Sequence, residues 1–198
     1  MRWRARTNVQ RHSARRASRP QLKRDPLGRW PRLAHMGTAD SELASIVADH
    51  GWAVMKVAAE TDSPFFAYSI GLYRTFRHAE IIVLGLPSET AHQLINDVGE
   101  AVRGGTAVAA GQTSDAFLEG FACTFRRVPP HQYRAYLGHG IRYYGTEAFP
   151  VLQLVYPDCR GRWPWEPGVS PEFLANQPIL ADEPEPPWAR NASGLTSA

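Results

Sequence analysis

The sequence predicts an α+β fold: one domain with a mainly antiparallel sheet of about five strands and helices packed on it. Three observations predict it. Strand-like runs at 52–57, 65–70 and 80–84 follow one another after a single helix signal, more densely than βαβ alternation allows. An amphipathic pattern beginning at Ser88 has the apolar stripe needed to cover one sheet face. The chain of 198 residues, 43% of them hydrophobic, is long enough for one core and short for two.

From Thr38, which can cap a helix, Leu43, Ile46 and Val47 recur at helical spacing until Gly51 stops the pattern. Trp52–Val57 and Phe65–Ile70 read as strands separated by a turn through Glu60–Pro64, with Gly71 ending the second. Glu80–Leu84 is almost continuously apolar, the mark of a strand covered on both faces. Gly85-Leu-Pro87 breaks it. Ser88 then opens the clearest helix, with Ala91, Leu94, Ile95, Val98 and Val102 on one stripe and Gly104-Gly105 at its end. A linker with a short helical turn near Asp115–Glu119 leads to an alternating strand, Phe121–Val128, stopped by Pro129-Pro130. Residues 131–144 set Tyr133, Tyr136, Leu137, Ile141 and Tyr144 at roughly helical spacing, a core face, although Gly138 and Gly140 each weaken a helix by about 1 kcal/mol. Phe149–Tyr156 is the last strand, and the Pro- and acid-rich remainder wraps the surface and frays after about Leu180 into a flexible tail over 181–198.

Charge divides the chain. Residues 1–36 hold 11 Lys/Arg and the single acid Asp25, whereas 37–198 hold 11 bases and 18 acids. The segment 1–36 has no hydrophobic period and reads as a disordered basic tail ahead of a globular domain over 37–180. A nucleic-acid or membrane-surface arm, a transit peptide, and translated sequence upstream of a start at Met36 all fit it; the compositional break at Met36-Gly37 favours the third. An acidic body repels a polyanion, so nucleic-acid binding is not expected except through residues 1–36. No apolar run reaches the ~18 residues that a membrane span needs. Two cysteines, Cys123 and Cys159, fit a reducing compartment and a cytoplasmic protein.

Gly51-Trp52, Phe66-Ala-Tyr-Ser-Ile-Gly-Leu72, His78-Ala-Glu80, Gly85-Leu-Pro87, Phe149-Pro-Val-Leu-Gln-Leu154, Pro157-Asp158, Gly161-Arg162 with Pro164-Trp165, and Gln177-Pro178 stand in one order. In that order they resemble the bacterial DUF4262 family over about residues 38–180. The resemblance implies a bacterial, cytoplasmic protein and no established catalytic mechanism. The family pattern reads His-Pro-Glu where this chain has His78-Ala79-Glu80.

Candidate chemistry concentrates in three segments. His78-x-Glu80 puts an imidazole and a carboxylate on one side of an extended segment, the arrangement of an oriented general base; a loop histidine with a glutamate satisfying backbone donors is the alternative. Tyr68-Ser69-Ile70-Gly71 ends a strand on a hydroxyl and a glycine, without the Gly-x-Ser-x-Gly elbow of a serine nucleophile. Asp158-Cys-Arg-Gly161 has the Asp and Gly of a type I turn, and the following Trp163-Pro-Trp-Glu-Pro167 is forced extended. This last stretch is either a clasp over the fold or one wall of a cleft, with Trp163 and Trp165 holding an apolar group, Arg162 an anion, and Asp158 or Glu166 a proton. Histidine and cysteine spacings match no metal motif, and no glycine-rich loop opens a helix, so neither metal nor cofactor is expected.

Two functions follow. The first is a module binding a small molecule or protein partner, in a pocket bounded by Tyr68, Ser69 and Gly71, by His78 and Glu80, and by Asp158 to Glu166. The second is a hydrolytic or acid–base enzyme using His78 with Glu80 or Asp158.

Overall fold

The computed structural model describes residues 4–5, 38–61 and 63–183. The tail over 1–36, Arg4 and Ala5 excepted, and the end of the chain after Glu183 therefore lie outside the described residues.

The α+β class holds, with six strands in one mixed sheet instead of about five. In chain order the elements are α1 (Thr38–His50), β1 (Ala53–Val57), β2 (Phe66–Ile70), α2 (Leu72–Phe76), β3 (Glu80–Leu84), α3 (Ser88–Arg103), β4 (Thr113–Leu118), β5 (Phe121–Arg127), a 3₁₀ turn (Pro130–Gln132), α4 (Tyr133–Tyr136), α5 (Gly138–Tyr144), β6 (Val151–Val155) and α6 (Pro171–Asn176). The sheet runs β1-β2-β3-β6-β5-β4. Every neighbouring pair is antiparallel except β3 and β6, which run parallel with Glu80 level with Val151.

The central strands β2, β3 and β6 are buried along their whole length, because helices cover both faces. On one face α3 buries Ala91, Leu94, Ile95, Val98 and Val102 against Ala67, Ile81, Val83, Leu152 and Leu154. Gly99 lets this helix approach so closely that a Cβ there would stand 2.5 Å from the Trp52 ring. On the other face Leu43 and Val47 of α1, with Tyr133, Leu137 and Phe149, pack on Phe66, Tyr68, Ile70, Ile82 and Val151.

Two expectations are corrected. The helical turn expected near 115–119 is β4, a hairpin partner of β5 whose register shifts between Ser114 and Leu118; the irregularity destroys the alternation that marks a strand. Gly120, at φ 79, closes that hairpin in the left-handed region. The single helix expected over 131–144 is divided into the 3₁₀ turn, α4 and α5, broken at Leu137 (φ −121, ψ 29) beside the two weakening glycines. Residues 72–76 form α2, which is too short to show a helical period.

The chain end is laced to β6 by two buried glutamines. Gln177 accepts from the Tyr156 amide at 3.0 Å and donates to the Tyr156 carbonyl at 2.9 Å. Gln153 donates to Pro178 O and accepts from the Leu180 amide, each at 2.8 Å. Leu180 enters the core, and Arg126 donates to the Glu183 carbonyl. At the other end, Ala5 bridges Leu118 at the edge of β4.

Candidate functional site: a buried carboxylate under a tyrosine shelf

The site is built where β2 ends and β3 begins. Ile70 is followed by Gly71 at φ 118, a conformation that favours glycine. A Cβ at Gly71 would lie 2.7 Å from Val47 Cγ1 and 2.8 Å from the Gly51 carbonyl, so the position admits no side chain. The chain turns there into α2 and returns as β3, which starts at Glu80.

Glu80 is 1% exposed. Its Oε1 accepts from the Gly71 amide at 2.9 Å, from the Tyr73 amide at 3.0 Å and from the Tyr144 hydroxyl. Its Oε2 accepts from the Ser69 hydroxyl at 2.5 Å, and that hydroxyl in turn accepts from the Ile81 amide at 2.9 Å. Burial pushes the Glu80 carboxyl above its ordinary range, against the pull of Ser69, Tyr144 and the two amides. Burial and the Glu80 charge likewise push up the Tyr144 hydroxyl. One carboxyl therefore joins the end of β2, the entry to α2, the start of β3 and the last residue of α5. An unsatisfied carboxylate in such a place would cost several kcal/mol; four donors make it tenable.

Above this network lies a shelf of rings. Tyr73 meets Tyr144 edge-on at 6.0 Å between centroids, Tyr143 meets Tyr144 at 5.0 Å, and Tyr144 lies 4.6 Å from Phe149. The Arg74 guanidinium stands 5.5 Å from the Tyr143 centroid and the Arg77 guanidinium 5.7 Å from that of Tyr73. Arg77 ends α2 at φ 59, and among the described residues no other non-glycine has a positive φ. Holding it there costs about 1–2 kcal/mol.

Of the residues expected to line a pocket, Ser69, Gly71 and Glu80 are brought together directly. Tyr68 is buried on the neighbouring face toward α5; burial pushes its hydroxyl up to about 12 against the backbone of His139 and Gly140 and the Arg142 charge. His78 is not joined to Glu80. Its Nδ1 lies 2.8 Å from Ala79 O, and its Nε2 lies 3.0 Å from the Val108 amide and 3.1 Å from Val108 O. The tautomer protonated on Nδ1 fits these partners, and the ring staples the entry of β3 to the segment around Val108.

Asp158, Arg162, Trp163, Trp165 and Glu166 stand elsewhere. Because β3 and β6 run parallel in the same register, the loop leaving β6 emerges at the sheet end opposite Glu80, about 13 Å away at ~3.3 Å per residue. A single pocket bounded by all three segments is not what the fold builds, and His78 with Asp158 is not an assembled acid–base pair.

The loop is internally satisfied. Asp158 Oδ1 accepts from the amides of Arg160 and Arg162 at 2.8 and 2.9 Å, while Oδ2 receives Arg162 Nε at 2.9 Å and Nη2 at 2.7 Å. Burial raises the Asp158 carboxyl, but these donors together hold it below its ordinary range. Glu166 accepts from the Trp163 amide at 2.8 Å, and the rings of Trp163 and Trp165 stack at 5.3 Å with 5° between planes.

Tyr144, Tyr73, Tyr143, Arg74 and Arg77 went unnoticed as site residues. Tyr144 has the spacing of a core residue, and α2 is too short to show a period; the usable signal was the run of aromatic and basic residues directly after Gly71. Among the described residues no group of three or more His, Cys, Asp or Glu could hold a metal ion.

One family model matches the chain, over residues 46–170, and is described as a domain of unknown function, DUF4262. No curated protein and no solved structure gives a match.

Proposed function

The chain belongs to the DUF4262 family, whose description names no activity, and from that premise we propose that it is a small-ligand-binding module with its site on the tyrosine shelf over Glu80. The observation that carries the proposal is the Glu80 network. It is a costly buried constellation that fixes the entry of α2 and the end of α5 relative to each other, which is what a preorganised recognition surface needs. Ser69, Gly71 and Glu80 are positioning residues in this reading, and Tyr68 backs α5 from below.

An acid–base enzyme is the less supported reading. A general base needs a free lone pair within reach of substrate, whereas both ring nitrogens of His78 and both oxygens of Glu80 have partners within the protein. The two tryptophans, Arg162 and Glu166 form a clasp of their own rather than the second wall of the site. A bacterial, cytoplasmic setting is proposed with the module; the free thiols of Cys123 and Cys159 support a reducing compartment.

A thermal-shift screen against metabolites and nucleotides tests the proposal, since a ligand at a hundred times its dissociation constant adds about 2.7 kcal/mol of stability. A saturable rise in Tm abolished by Tyr144→Ala is expected. A screen without stabilising compounds, alongside turnover of an ester or amide substrate that requires His78, would favour the enzyme instead.

A further inference from the structure

Resting on the binding-module reading, the shelf carries information about the chemistry of the ligand. Elsewhere four cations of the body are paired, Lys56 with Glu89, Arg103 with Glu100, Arg134 with Glu147, and Arg162 with Asp158, while Arg127 and Arg160 stand singly without an ion pair among the described residues. Arg74 and Arg77 of the α2 segment and Arg142 of α5 are exposed, and among the described residues no carboxylate pairs with them. Arg142 instead donates toward His139 Nδ1 at 2.7 Å. In a body with 11 bases and 18 acids, unpaired arginines on adjoining elements make a local positive field opposed to the average, the pattern that attracts an anion.

Arg74 and Arg77 are also prepared to act. Each guanidinium already lies over a tyrosine ring, so less side-chain freedom is lost on binding. Arg77 occupies a left-handed cap at φ 59 where glycine would sit without strain, so its side chain is kept at the expense of its backbone. The Glu80 carboxyl under the shelf has its oxygens occupied by donors from the protein.

We infer that Arg74 and Arg77, seated on Tyr143 and Tyr73, bind the oxyanion of a small ligand, a phosphate or a carboxylate, with Arg142 adding to the field. Guanidinium edges suit both groups through paired N–H donors.

Calorimetric titration of the full chain with inorganic phosphate and with citrate, at ionic strength matched with chloride, separates the two sources. Saturable binding of at least one anion is expected, weakened about tenfold or more by Arg74→Gln and by Arg77→Gln. Arg77→Gly gives an independent readout: relief of the strained cap leaves the ligand-free Tm equal or higher while binding is lost, which a purely structural arginine would not do. Binding of neither anion above the chloride control, or equal affinity in the arginine variants, overturns the inference. If neutral or cationic compounds bind the shelf while oxyanions do not, the inference falls and the module stands; if nothing binds, both fall.

Discussion

Glu80 is the residue on which the account turns. Its carboxyl is pushed above the ordinary value of 4.5 by burial. A carboxyl that holds its proton more tightly folded than unfolded favours the fold fully below the unfolded value, and that contribution is lost as pH rises through the folded one. Urea midpoints of the parent and of Glu80→Gln should therefore diverge with pH. The parent is expected to lose stability relative to the variant as pH rises above about 4.5. A parent that gains relative to Glu80→Gln over that rise would show that the four donors, not burial, dominate. Gly71→Ala is a harsher change, because its Cβ meets Val47 and two backbone atoms under 3.0 Å in a left-handed conformation; a loss of roughly 2–4 kcal/mol is expected in the same assay.

At the scale of elements, what could be read in advance was what local pattern determines. The stripe on α3 and the apolar run of β3 announce themselves because each lies within one element. The turn at Asp158–Gly161 was legible for the same reason: Asp158 bonds amides two and four residues on. β4 was not, since its register shift removes the alternation, and α2, five residues long, has too few positions to show a period. His78-x-Glu80 misled because alternation applies only inside a strand, and β3 begins at Glu80 itself. The lacing of the chain end by Gln153 and Gln177 yields a further prediction. A chain ending at Asn176 leaves the buried Gln153 amide without its partners and uncovers the site of Leu180, a loss of roughly 3–6 kcal/mol relative to a chain ending at Glu183. Comparable thermal melts of the two truncated chains would contradict this role, even though the family match ends at residue 170.

For the whole molecule, topology decided what sequence could not. Tyr144 reaches Glu80 across 64 residues, and only the parallel pairing of β3 with β6 separates Glu80 from the tryptophan loop. Segments that looked like parts of one pocket stand at opposite ends of one sheet, and Tyr144, packed against the core as its spacing predicts, also caps a buried carboxyl. The most direct test is backbone amide NMR of the full chain titrated with a compound that raises its Tm. Shifts concentrated at Gly71, Tyr73, Arg74, Arg77 and Tyr144 are expected, with the amides of Arg160 to Glu166 unmoved. Shifts confined to the 158–166 loop would contradict this placement and return the site to the tryptophans.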